Sequence, residues 1–336
     1  MTEFQIIHKS QEPDLEILIC THNRARLLSR TLAFLNQAAR PNGWRIWIRV
    51  VVNACTDETT SILRSYETQA CAKGWIALYW IEEPMPGKSN ALNRVIPLLS
   101  APVIAFVDDD HRIDANYLVG IQDAVQAYPD AALFCGRILP DWNGTEPAWI
   151  HDRGCFRIYP LPVPRFDQGD EPRKILSKGP IPGGGNLFMR HMVFQKVGGF
   201  LPDFGPVGHN LGGAEDLQWV GRSLRLGLQL QYVPGVVQYH YVDPARLAMP
   251  YLMRKAYERS ASAVRLSEDV KRRSGIPIYL ARKIADYLLR SVFSIGNTSK
   301  RRFYLVRLAA SMGEIKGFLQ ARNDRRGQTV RNLSTL

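Results

Sequence analysis

Three aspartates stand side by side at positions 108–110, directly after the apolar run "PVIAFV" and directly before His111. Adjacent carboxylates repel one another unless a cation or hydrogen-bond donors compensate. Oxygen donors in this arrangement suit Mg2+ or Mn2+, ions that commonly take one or two carboxylates together with substrate phosphates. A second acidic pair, Glu215 and Asp216, lies in "GGAEDLQWVGRSLRLG". The glycines set it at a loop-to-helix junction, with Leu217, Val220 and Leu224 expected to pack inward. A carboxylate there is either a partner of the helix dipole or a general base aimed at a hydroxyl. A lone histidine, His240 in "VVQYHYVDPARL", follows a strand-like run.

Lys88, in "EEPMPGKSNALNR", belongs to a Gly-Lys-Ser that raises the question of a phosphate-binding loop. That pattern needs a glycine five places before Gly87. Glu82 stands there, and Pro84 and Pro86 break the backbone arc that would cradle phosphate, so a strict P-loop does not fit.

The elements that must position these residues are legible in the first half of the chain. "LEILICTHNR" (15–24), "RIWIRVVVN" (45–53), "WIALYWIEE" (75–83) and "PVIAFV" (102–107) read as buried, β-branched or apolar strands. Between them, "ARLLSRTLAFLNQAAR" and "ETTSILRSYETQACAKG" carry helical spacing, the second ending near Gly74. "KSNALNRVIPLLS" reads as a helix that Pro97 bends or ends. This alternation predicts an α/β fold with a mainly parallel sheet and helices on both faces. Ligands bind such sheets at the carboxyl ends of the strands, where "THNR", "NACTD" and "DDD" all fall. Beyond residue 130 the Gly-, Pro- and Trp-rich sequence predicts loops built over a site, and after Pro250 it turns helical.

The chain has 336 residues and a net charge of +12. From Arg254 onward there are 19 Lys and Arg against 6 Asp and Glu, so all of the excess positive charge lies in the last quarter. A nucleic-acid-binding module fits poorly, because the first three quarters are neutral and carry no helix-turn-helix, zinc or RNP pattern. The five cysteines form no C-x-x-C pair and read as reduced cytosolic thiols. No signal peptide or spanning apolar segment is expected.

Taken in order, these motifs resemble those of the family 2 glycosyltransferases, inverting enzymes with the GT-A fold. The resemblance covers roughly residues 14–260: "ICTHNR", "VVVNACTDETT", "PGKSNALNRVI", "AFVDDDH", "GGGNLFMR…VGGF" and "GGAEDLQWVGRSLRLG". It implies a GT-A-type catalytic domain over 1–250 followed by a basic helical extension over 251–336. It further implies a nucleoside-diphosphate sugar donor, a carbohydrate or lipid-linked acceptor and a divalent metal, Mn2+ or Mg2+. Asp108 would contact the ribose or the metal, Asp109 is the middle position of the D-x-D motif, and Asp110 would ligate the ion. Asp216 would be the base and Glu215 its supporter, the reverse being open. Thr21, Asn23, Arg24, Asn53 and Asp57 would lie by the nucleotide. Lys88 and Asn90 would lie near the diphosphate, where Asn90 and Asn93 either face the site or cap the helix. His240 resembles a position near the diphosphate and metal. Val52 stands where the family usually has an Asp that reads the nucleobase, and Asn53, whose amide both donates and accepts, is expected to take over. The alternative on these residues is a catalytically inactive sugar-nucleotide-binding scaffold. Trp142 and Trp149 are candidates for sugar stacking, whereas Trp219 is expected in the core.

The last quarter places Ile284, Leu288, Val292 and Ile295 on one helical stripe and Leu305, Leu308, Met312, Ile315 and Leu319 on another. Such helices either pack on their own domain or attach to an anionic membrane surface, here the inner face of the cytoplasmic membrane.

Overall fold

The computed structural model describes residues 12–161, 163–202, 215–266 and 276–333. The chain forms two compact units, one of Met1–Asp141 with Pro164–Tyr241 and one of Trp142–Val163 with Val242–Leu336.

The first unit is organised on a nine-stranded sheet. The expected strands form as β1 (Leu15–Thr21), β2 (Ile46–Asn53), β3 (Ala77–Glu83) and β4 (Val103–Phe106). They lie in the order β3-β2-β1-β4, all parallel. Side-chain alternation then divides the core: Leu15, Ile17 and Ile19 pack toward helices α1 (Ala25–Gln37) and α2 (Thr59–Lys73). Leu18 faces the other way, toward α3 (Lys88–Val95). Gly74 ends α2 in the left-handed region at φ 61°, its N–H bonded back to Ala70 and Cys71 carbonyls. Ahead of Pro97, α3 stops at Val95 and tightens into a 3-10 turn, Ile96–Leu98.

Glu16 points into this core and is fully buried. Arg49 on β2 binds it at 2.6 and 3.0 Å, and the Ser100 and Ala101 N–H groups supply the remaining donors. A buried carboxylate is tolerable only when paired and hydrogen-bonded in this way.

Beyond residue 130 the structure corrects the expectation of loops alone. After β5 (His111–Ile113) and α4 (Tyr117–Ala127), the chain adds β6 (Leu133–Asp141), β7 (Arg173–Ile175) and β8 (Leu187–Arg190). Helices α5 (Met192–Val197) and α6 (Glu215–Arg225) and the long strand β9 (Leu230–Tyr241) follow. The sheet continues β4-β8-β6-β9-β5, with β7 beside β9, and only β6 and β9 run parallel in this half. Pro234 and Gly235 interrupt the pattern of β9, and a bulge at Gly136 breaks that of β6. The Val236 carbonyl approaches so closely there that a Cβ on Gly136 would lie 1.9 Å from it. In α6 it is Trp219, Val220 and Ser223 that face inward, while Leu217 is exposed.

In the second unit, α7 (Met249–Leu266) and α8 (Tyr279–Val292) both pack on the long helix α9 (Thr298–Leu333). Leu280, Phe318 and Ala321 form the shared core with Val264 and Ile315. Of the two expected apolar stripes, Ile315 packs on this core, whereas Leu288, Val292, Ile295, Met312 and Leu319 are exposed. Trp142 and Trp149 pack around Ile150, Val242 and Leu247, and the Arg302 guanidinium lies 4.6 Å over the Trp149 ring. No helix among the described residues is long and apolar enough to cross a membrane.

Candidate active site

The parallel half of the sheet ends at one edge, where β1 delivers Thr21, β2 delivers Asn53, and β4 leads through Val107 into the aspartates. Because β8 runs antiparallel to β4, its amino end, preceded by the turn Gly184–Asn186, arrives beside the carboxyl end of β4. Two segments some seventy-five residues apart thus meet at the site.

The Lys88 ammonium is the hub of this edge, 3.0 Å from Asp108 Oδ1 and 3.5 Å from Asp216 Oδ2. Burial opposes its charge, but Asp108, Asp216 and Glu215 outweigh burial and hold it well above the usual lysine range. The effect is reciprocal at Asp108, where burial works against ionisation and Lys88 overrides it, keeping the carboxyl ionised far below its usual range. Asp216 Oδ2 also accepts the Gly184 N–H at 3.0 Å. Gly184 leaves the room that this needs: a Cβ there would lie 2.3–2.4 Å from the carboxylate. Glu215 is buried, and burial together with the neighbouring Asp216 charge pushes its pKa up. Leu18, Cys20 and Phe106 form the apolar floor beneath Lys88, and burial pushes the Cys20 thiol up to about 12, so it stays protonated.

Arg24, at the start of α1, bridges Asp109 Oδ1 and Asp110 Oδ2, each at 2.9 Å. Burial and the Asp110 charge raise the Asp109 pKa, with Arg24 opposing them. The Thr21 hydroxyl faces the same carboxylate. The backbone of the acidic turn is fixed by Thr31 of α1, whose hydroxyl lies 2.9 Å from the Asp109 carbonyl and 2.8 Å from that of His111.

Asp110, His111 and His240 converge, each offering one donor atom within 4.8 Å of the others. His240 Nδ1 lies 2.6 Å from the Tyr241 carbonyl, which can only accept, so Nδ1 carries the hydrogen and the Nε2 lone pair is free, 3.6 Å from Asp110. His111 Nδ1 meets the Gln238 side-chain oxygen in the same manner. Its Nε2 is buried without a hydrogen-bond partner, 3.8 Å from Asp110 Oδ1 and 3.9 Å from Asp108 Oδ2. Gln238 is itself fixed, donating to the Phe106 carbonyl, Tyr117 Oη and Asn186 Oδ1. Burial lowers the His240 pKa and favours the neutral, ligating form. Two oriented imidazoles and a carboxylate fit a divalent transition-metal ion such as Mn2+ better than Mg2+, which prefers an all-oxygen shell. The orphaned His111 nitrogen is what such an ion would satisfy.

The other expected residues are tied into the loops around this edge. The Asn53 amide donates to the Glu83 and Met85 carbonyls and accepts the Gly87 N–H at 2.9 Å. It positions the turn that carries Lys88, and Val52 lies in the core. Asn23, at φ 51°, staples the β1 loop to the β2 loop by accepting the Thr56 and Asp57 N–H groups. Asp57 accepts the first N–H of α1 and both the N–H and hydroxyl of Thr59. Asn90 donates to the Pro86 carbonyl, and Asn93 ties down both backbone groups of Phe200. Trp219 is fully buried, stacked 5.1 Å from Phe200. His111, Gln238 and Asn186 carry no signal as site residues in the sequence, apart from the adjacency of His111 to the aspartates.

Known proteins show the same framework. The mannosyltransferase PcManGT from Pyrobaculum calidifontis, solved with GDP-Man and Mn2+, is 17% identical over 92% of this chain and 88% of its own, with a TM-score of 0.56. S. aureus TarS 1-349 with UDP-GlcNAc is 12% identical over 94% and 92%, with a TM-score of 0.51. GalNAc-T7 with UDP, GalNAc and Mn2+ is 13% identical over 76% of this chain and 51% of its own, with a TM-score of 0.51. At these identities the likeness shows a shared GT-A fold. No curated protein matches the sequence. The profile of glycosyl transferase family 2 matches residues 16–198, more than half of the chain, and covers every strand of the parallel half and the three aspartates. By that match, with the fold to support it, the chain belongs to glycosyl transferase family 2.

Proposed function

We propose that this glycosyltransferase is metal-dependent and inverting, moving a sugar from a nucleoside-diphosphate sugar to an acceptor hydroxyl. The observation that carries this reading is the placement of Asp216 and Lys88 on one side of Asp108, with Asp110, His111 and His240 on the other. Asp216 serves as the general base. Its Oδ2 is held by the Gly184 N–H and Lys88, which leaves Oδ1 to take the proton of the acceptor hydroxyl. As that oxygen forms its bond to the anomeric carbon, the bond from the same carbon to the diphosphate oxygen breaks on the opposite face. One displacement inverts the configuration. Lys88 and Arg24 supply fixed positive charge for the departing diphosphate. Asp110, His111 and His240 would hold a divalent ion, which would supply Lewis-acid stabilisation of the same developing charge.

Relatives of this fold bind GDP-Man and UDP-GlcNAc, which supports a nucleotide-sugar donor. The acceptor we infer is a carbohydrate, lipid-linked and met at the cytoplasmic face of a membrane. The concentration of positive charge after Arg254 supports that placement and a separate role for residues 251–336.

The test is a panel of nucleotide sugars with Mn2+, Mg2+ or EDTA, reading nucleoside diphosphate release. Turnover of one donor that requires metal and is lost in Asp110→Ala supports the reading. Binding of a donor with no turnover on any acceptor points instead to a scaffold.

A further inference from the structure

Unit two carries an apolar surface that its own packing leaves uncovered. Helix α8 turns Leu280 and Ser291 inward, and its Tyr287 ring lies 6.1 Å from that of Tyr304 on α9. The opposite side of its last turns and the following connection expose Leu289 (56%), Val292 (52%), Phe293 (85%) and Ile295 (64%). Leu288 is exposed beside them. Isolated exposed apolar residues are ordinary on a protein surface, but five within positions 288–295, adjacent at i+3 and i+4, form a patch.

Along the chain from the patch into α9 the charge has one sign. From Tyr287 to Gly313 the chain has Arg290, Lys300, Arg301, Arg302 and Arg307 and no Asp or Glu. Arg290 is paired with Asp286, and Arg302 lies over Trp149. In the first turn of α9, Lys300 is half-buried with its ammonium 5.6 Å over the Phe156 ring, and Arg301 is exposed. Cations at a helix amino end oppose the macrodipole, an arrangement that an anionic surface reverses into a gain.

We propose that the α8–α9 connection docks on an anionic lipid surface. Leu289, Val292, Phe293 and Ile295 enter the boundary between headgroups and acyl chains, and Lys300 and Arg301 face the lipid phosphates. A nucleic acid would use the cations and leave the apolar tip in water. A second copy of the chain meeting the patch by two-fold symmetry would set these cations against their own kind. The proposal deepens the reading of a membrane-borne, lipid-linked acceptor and rests on it for its purpose.

The experiment is flotation of the full chain with vesicles of two parts phosphatidylcholine to one part phosphatidylglycerol, against phosphatidylcholine alone, with no nucleotide sugar present. The expected result is binding to the anionic vesicles that weakens with salt and is at least tenfold weaker on the neutral ones. Phe293→Glu lowers binding about tenfold or more. The pair Lys300→Gln and Arg301→Gln lowers it roughly thirtyfold, at about fivefold for each cation near an anionic leaflet. Both variants keep the thermal midpoint of the parent, since neither side chain supports the core. Equal binding to both vesicles, no binding by folded protein, or indifference to Phe293→Glu overturns the proposal. A dimer dissolved by Phe293→Glu without vesicle binding also overturns it and assigns the patch to a second copy. Vesicle binding by a chain that transfers no sugar leaves this surface standing and refutes the transferase reading instead.

Discussion

His111 and His240 are register partners across the antiparallel pair β5 and β9, with ring centroids 5.0 Å apart at 64°. Strand pairing alone sets two imidazoles side by side, and each ring has its Nδ1 engaged by a fixed oxygen, from Gln238 for one and from the Tyr241 backbone for the other. Both Nε2 atoms therefore present lone pairs toward Asp110.

This arrangement predicts the metal. Mn2+ binds the purified chain more tightly than Mg2+, and His111→Ala or His240→Ala removes most of that affinity. Gln238→Met, which leaves both histidines in place, weakens Mn2+ binding roughly 10–100-fold by freeing the orientation of the His111 ring. Titration calorimetry or Mn2+ electron paramagnetic resonance on folded protein reads all three. Unchanged Mn2+ affinity across the set would exclude this site.

Asp216→Asn keeps the fold and the donor affinity while lowering kcat by roughly 10²–10⁴, the usual range for a lost general base. Gly184→Ala reaches the same residue by another route. Its methyl group would lie 2.3–2.4 Å from the Asp216 carboxylate and displace it. A kcat about a hundredfold lower with little change in thermal midpoint is expected, because small misplacements of a catalytic group carry such costs. A Gly184→Ala enzyme with parental kcat would mean that the present position of Asp216 is irrelevant to transfer.

Lys88→Met leaves Asp108, Asp216 and Glu215 facing one another without their cation. The lysine holds the Asp108 pKa low in the folded protein, so its contribution is present above the free aspartate value of 3.8 and fades as pH falls below it. The thermal midpoint of the variant should thus lie well below that of the parent from pH 7.5 down to about pH 4, with the gap narrowing only below 3.8. Donor turnover falls with it. A gap that does not change with pH would show that Lys88 acts through packing alone.

Glu215 predicts the opposite slope. Its folded pKa is raised above the free value of 4.5, so the folded state binds the proton more tightly than the unfolded chain does. Stability from this group is greatest below 4.5 and declines as pH rises through the interval up to the raised value. Glu215→Gln removes that decline and is expected to melt higher than the parent at pH 8, by roughly 2–4 °C per kcal/mol relieved, and not at pH 4.5. Melting curves across this range decide it, and a variant less stable than the parent at pH 8 contradicts it.

The first four strands and three helices are legible because each is a short run with one clear period. Leu15, Ile17 and Ile19 alternate with Leu18 in β1, and Leu28, Leu32 and Leu35 mark the buried stripe of α1. The second half of the sheet is not legible, because Gly136 and the Pro234–Gly235 step interrupt the pairing of β6 with β9. Glu16 is hidden for a related reason. A carboxylate within an apolar strand gives no sign of whether an Arg49 waits on the neighbouring strand.

The sequence by itself determined the chemistry that could be present: three aspartates at a strand end, a lysine after a glycine turn, a Glu-Asp pair at a helix start and an ordered set of motifs. Those are local features, fixed by residue type and spacing. Only the tertiary structure decided which of them meet. Lys88 reaches Asp216 because β8 returns antiparallel beside β4, and His240 joins His111 because β9 pairs with β5 in one register. Neither pairing is encoded in any window of the chain. Long-range contacts of this kind follow from burying both faces of one sheet, a condition that the whole fold must satisfy at once.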